Sequence, residues 1–130
     1  YRNNAQSMTA AFDPHLTETI FIPLDILRTY FDTDKRALFA QYQMYAAYLL
    51  QLWVRNQASL DCDLDRKGLR QSCARVCQNQ ELRALLASVP GALPRQVAVA
   101  VRAVQQQKPG QLYLLIKAWN LYYKLRNGRA

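Results

Sequence analysis

The sequence predicts an all-α fold, a compact bundle of five or six helices over residues 23–130 behind an irregular N-terminal arm, residues 1–22. Three observations lead there. Every strong apolar pattern after residue 23 recurs at helical spacing. A chain of 130 residues with 51% hydrophobic and 20% charged side chains has the composition of one folded domain with a real core. No low-complexity tract or internal repeat of about 20–50 residues suggests an array.

The elements follow in order. Residues 1–19 mix Asn, Thr, Gln and Ala around Asp13-Pro14 and read as irregular. "IFIP" (Ile20–Pro23) reads as a short extended strap, because the residue before a proline is pushed out of the α region. Pro23 then suits the first turn of a short helix ending at Phe31. The clearest element is a long helix over about residues 35–57, with Thr33 or Asp34 as its N-cap. Leu38, Tyr42, Tyr45, Leu49 and Leu52 form its apolar seam, and Phe39, Ala46 and Trp53 run beside it at intervals of seven.

After the acidic connection "SLDCDLD", Asp65 caps a helix "RKGLRQSCARVC", with Leu69, Cys73, Val76 and Cys77 facing inward. Asn79 caps "QELRALLASV", which turns Leu82, Leu85, Leu86 and Val89 inward and is broken at Pro90, Gly91 and Pro94. "QVAVAV" alternates like a strand. Its alanines, the preceding Pro94 and the spacing of Val97, Val101 and Val104 favour a helix instead. Pro109-Gly110 is expected to form a turn. The last helix then presents Leu112, Leu115, Ile116, Trp119, Tyr122 and Tyr123, with Gly128 past its end.

Most catalytic and metal chemistries find no support. His15 is the sole histidine and lies in the arm, which argues against Ser-His-Asp or Cys-His catalysis and against His-rich metal sites. Cys62, Cys73 and Cys77 contain no CxxC pair and read as reduced thiols of a cytoplasm-like compartment, two of them in the core. Asp61, Asp63 and Asp65 alternate like the start of a calcium loop, but Arg66 and Ser72 stand where its glycine and closing glutamate belong. Neither a GxxxxGK[ST] nor a GxGxxG phosphate-binding motif is present. The expectation is a protein that is not an enzyme and needs no cofactor or metal. The start "YRNNAQSMTAAFD" shows no signal peptide and no initiator Met, which suits one part of a longer product. No window approaches a membrane span.

Charge is more informative. Residues 1–65 carry five basic and eight acidic side chains, and residues 66–130 carry twelve basic and one acidic, Glu81. The halves stand at −3 and +11, which together give the +8 of the whole chain. Ordinary solvated faces mix both signs, so twelve cations against one carboxylate call for an acidic partner. Arg95 and Arg102 lie seven apart on one predicted helix, and Lys117 and Lys124 on the next, with Tyr113 and Asn120 on their face. Arg66, Lys67 and Arg70 edge the helix after Asp65. All seven fall outside the apolar stripes and are the candidate nucleic-acid contacts. "NQELRALLASVPGALPRQVAVAVRAV" makes a poor helix-turn-helix reader: its link holds two prolines and its second helix is mostly Val and Ala. Backbone contact independent of sequence is the expectation.

In size, charge and helical layout the chain resembles the small subunits of multi-subunit CRISPR interference complexes. That resemblance covers most of the chain, quotes no residue motif and assigns no residue a role. It implies a compact helical protein that lines a larger assembly and leans a basic surface on nucleic acid, DNA or RNA, beside other protein subunits. Two other readings stand next to it. One is a helical adaptor whose basic half docks an acidic protein. The other is a peripheral membrane binder using Trp119, Tyr122, Tyr123 and the nearby lysines.

Overall fold

A computed structural model describes residues 12–31, 36–89 and 92–128, with side chains for 12–26, 39–89 and 92–127. Among the described residues there is no strand, and seven helical segments follow one another. They are α1 (Leu16–Thr19, a single turn), α2 (Ile22–Phe31), α3 (Arg36–Gln57), α4 (Arg66–Cys77), α5 (Gln80–Leu86), α6 (Arg95–Gln105) and α7 (Pro109–Gly128). The all-α bundle expected from the apolar spacing is the fold observed.

Helix α3 is the axis of the bundle and packs against α1, α2, α5, α6 and α7. Its alanines explain how. Ala46 and Ala47 are both buried, and their small side chains let neighbouring helices approach from two sides. Tyr42, Leu49, Leu50, Trp53 and Val54 fill the core around them. Trp53 is fully buried, and its indole Nε1 donates to Thr17 Oγ1 at 2.9 Å, which ties α1 down. The Tyr42 hydroxyl likewise donates to the Leu24 carbonyl and ties down α2.

Two glutamines, Gln43 inside the core and Gln105 at its edge, close the end of α5. The buried Gln43 amide donates to the Leu85 carbonyl (3.0 Å) and to that of Ser88. Gln105 Nε2 donates to the Leu86 carbonyl at 2.6 Å. Carbonyls at the end of α5 have no partner within their own helix, so α3 and α6 supply one. At the other end of α5 the Asn79 side chain accepts from the Leu82 amide (2.9 Å). Asp65 does the same for Gly68 in α4 (2.7 Å). Both caps sit where the sequence predicted them.

Several expectations need correction. "IFIP" is not an extended strap: Ile20 and Phe21 form a buried turn, and Ile22 and Pro23 already belong to α2. A proline in the first helical turn forfeits no hydrogen bond, because the first four amides have no intrahelical acceptor. The arm read as irregular contains α1. Pro109 and Gly110 are not the turn but the first residues of α7, for the same reason. The reversal lies at Gln106–Lys108, where Gln107 takes φ 52°. There the Lys108 amide donates to the Ala103 carbonyl (2.9 Å) and that of Gln107 to Val104 (3.1 Å), a Schellman closure of α6. Gly128 is the last residue of α7 rather than the one after it.

The α3 seam is also rotated from the expected one. Tyr45 and Phe39 are exposed and Leu52 is half-buried, because the Ala46–Ala47 face turns inward. The inward sets on α4 (Leu69, Cys73, Val76, Cys77) and α5 (Leu82, Leu85, Leu86) are buried as expected, and Val89 packs half-buried against them. The Thr33/Asp34 cap, the Leu38 side chain and the Pro90-Gly91 break lie outside the described residues.

Candidate nucleic-acid interface

The Asp65 cap starts α4 and so places Arg66 and Lys67 in its first turn and Arg70 one turn on. This placement runs against local electrostatics. The N-terminus of a helix carries partial positive charge, so cations in the first turn are unfavourable by a few tenths of a kcal/mol or more each. No acidic residue occupies the first turn itself. Arg66, Lys67 and Arg70 line one open recess of about 750 Å³ together with Asp65, Gln71 and Ala74. The Asp65 carboxylate at the N-cap is thus the one negative charge in the recess set against three cations. The Asp65 carboxylate there is engaged by the Gly68 amide.

Packing of α4 against α7 extends the cluster. The Arg70 guanidinium lies 4.7 Å from the centre of the Tyr113 ring, a cation–π contact that holds it in place. Lys117 follows one turn after Tyr113 and is exposed; burial pushes the Cys62 thiol up, and Lys117 opposes that only weakly. Arg66, Lys67 and Arg70 thus form a basic cluster on α4 that touches α7 where Arg70 meets Tyr113, and Lys117 lies one turn further along α7.

The other three predicted contacts are exposed but separate. Arg95 is the first residue of α6, Arg102 lies two turns later, and Lys124 sits near the end of α7. None of the three lines the α4 recess. Two supposed neighbours of the lysines are not free surface. Tyr113 is buried under Arg70, and Asn120 Nδ2 donates to the Ala58 carbonyl at 2.9 Å. Tyr113 is turned to α4 and Asn120 to the end of α3, so neither stands on the open face with the lysines.

Sequence reasoning missed a second basic feature. Arg55, near the end of α3, has its guanidinium 5.3 Å from the Trp119 ring centre. With Arg126, Gln96, Tyr122 and Tyr123 it borders a groove of about 490 Å³. The three rings pack against one another at centroid distances of 5.6–5.9 Å. Arg126 follows Tyr122 by four residues and could have been placed beside it. Arg55 could not, because it belongs to the acidic half and only tertiary packing brings it to α7.

The buried thiols are poor nucleophiles. Burial, aided by neighbouring Cys77, pushes Cys73 up to about 12, and burial pushes Cys77 up to about 11 against the pull of Arg83. All three cysteines are free thiols. Among the described residues, no three His, Cys, Asp or Glu side chains gather closely enough to hold a metal ion. No helix among them is long and apolar enough to cross a membrane. No protein-family model, curated protein or solved structure matches this chain.

Proposed function

We propose that this chain is a non-catalytic helical subunit that holds the backbone of a nucleic acid, without reading its sequence, inside a larger assembly. The observation that carries this is the cluster of Arg66, Lys67 and Arg70 in one recess on α4, with Arg70 set against Tyr113 of α7, in a half of the chain with net charge +11. Three cations at the positive end of a helix, with the single carboxylate of Asp65 among them, leave positive charge that a bound polyanion would relieve. Each phosphate neutralised releases condensed counterions, and that release drives binding. Arg70, held against Tyr113, loses little freedom on meeting a phosphate. Arg95, Arg102 and Lys124 stand apart from the cluster as further exposed cations on α6 and α7.

The resemblance in size, charge and helical layout makes the small subunit of a CRISPR interference complex our candidate assembly, working in a reducing, cytoplasm-like compartment. Genes for the other subunits beside this reading frame would support that; unrelated neighbours would argue against it. Backbone binding is tested by titrating labelled oligonucleotides of unrelated sequence and following fluorescence anisotropy. We expect similar affinities across sequences, competition by unlabelled oligonucleotide, and weak competition by polyglutamate. Polyglutamate competing as well as the oligonucleotide would favour docking of an acidic protein. Affinity that changes strongly with base sequence would exclude the backbone reading.

A further inference from the structure

Helix α7 is apolar on two opposite sides. Leu112 and Ile116 are sealed into the core. Close to half a turn away, Leu114, Leu121 and Leu125 are 67%, 57% and 59% exposed. With exposed Ala118 between them they form a row at 4-3-4 spacing, the spacing of a helix–helix seam. Scattered surface leucines are ordinary, but three aligned on one helix make a contiguous patch of the kind that marks an interaction site. Ala118 in its middle would let another backbone come close.

The borders of the patch select its partner. Lys117 and Lys124 run along one edge and Arg126 lies towards the other, all exposed, and α7 contains no Asp or Glu. A second copy of this chain laid α7 against α7 would set lysine and arginine against lysine and arginine, with no carboxylate on either helix to relieve them. Leucines offer nothing to a phosphate and no ring for a base to stack on. A bilayer would be met by a short row on a helix whose Trp119 is turned towards the groove beside Arg55. An apolar helix with acidic borders satisfies both the row and its rim.

We infer that the outer face of α7 is a docking seam for an amphipathic helix of another protein, aliphatic along its centre and acidic along its edges. This goes beyond nucleic-acid binding and stands or falls separately from it, since the leucines take no part in the α4–α7 basic cluster. It places the nucleic acid and the protein partner on adjoining surfaces of one domain, with Lys117 and Lys124 on the boundary.

The test uses labelled synthetic three-heptad helices with Leu at the central positions and either Glu or Lys at the flanking ones. Anisotropy should report binding of the Glu-flanked helix and at least about tenfold weaker binding of the Lys-flanked one, a gap of about 1.4 kcal/mol. Leu121→Gln with Leu125→Gln should abolish that binding while leaving the melting curve and oligonucleotide affinity unchanged. Should that double variant unfold, Leu114→Ser alone reads out the same row. Equal binding of both peptides, no binding of either, or binding that survives the leucine changes overturns the proposal. So does sedimentation with phosphatidylserine vesicles, or concentration-dependent dimerisation, that is lost in the leucine variants.

Discussion

Helices α3 and α7 are the two longest in the molecule, and they are used in opposite ways. Helix α3 meets five other helical segments, and from Tyr42 onward its apolar residues are mostly buried. Its polar residues are recruited inward as well: Gln43 closes the end of α5, and Asn56 Oδ1 accepts from the Asp13 amide (3.3 Å) and from Gln57 Nε2 (3.2 Å). Helix α7 buries Leu112, Tyr113 and Ile116 but leaves Leu114, Leu121, Tyr122 and Leu125 all at least half exposed. Residues of the same chemistry thus build the core in α3 and a surface in α7. What separates them is the number of neighbours around the helix, which composition does not reveal.

Truncating the axis should have the largest effect. Trp53→Ala should cost about 3–5 kcal/mol in urea unfolding, through cavity formation and loss of the Thr17 hydrogen bond, and Leu49→Ala about 2–5 kcal/mol. Leu121→Ala on α7 should stay within about 0.5 kcal/mol. Similar losses on the two helices would break the comparison.

Burial in the core makes a second prediction, about pH. Cys73 and Cys77 rise from 9.0 to about 12 and about 11 in the folded chain. An acid whose pKa is raised by folding contributes its full stability below its unfolded value and loses it as pH climbs through the folded one. Stability should therefore fall from about pH 9 to about pH 12, and Cys73→Ala should make that fall shallower. At pH 8 a thiol reagent should label Cys62 first, while Cys73 and Cys77 react only as the protein unfolds.

Helix ends come next. Asn79→Ala should cost about 1 kcal/mol, read by thermal or chemical melting, because the Leu82 amide loses its acceptor. Smallest is Gly110→Ala in the first turn of α7. An added methyl there meets nothing within 4 Å, so the lower entropy of the unfolded chain should raise stability by about 0.5 kcal/mol. A loss at Gly110 would mean that the start of α7 is more constrained than its open surroundings show.

Legibility in the sequence followed locality. Asp65 and Asn79 were readable as caps because a cap bonds an amide three residues away. The helix over Arg95–Gln105 was readable despite its alternating "QVAVAV", because Val97, Val101 and Val104 keep their spacing beyond the alternation. Tyr45 and Leu52 were misjudged because their spacing fits a seam, while the seam chosen by packing runs through Ala46, Ala47 and Trp53. Arg66, Lys67 and Arg70 were readable as neighbours along one helix. That Arg70 rests on Tyr113, that Arg55 reaches Trp119, and that α7 has a second apolar face all depend on which helices meet.

The central claim is that the basic half, led by the α4–α7 cluster, holds a nucleic-acid backbone, and salt dependence tests it most directly. Neutralising about four to six phosphates gives a slope of log K against log salt of roughly −3 to −4 for a single strand and about −4 to −5 for duplex. Replacing Arg66, Lys67 and Arg70 together by Gln should flatten the single-strand slope by about 2. Affinity should weaken equally for unrelated sequences, with the helical circular dichroism signal unchanged. A slope near zero in the unaltered protein, or one that the triple replacement leaves intact, would contradict the account.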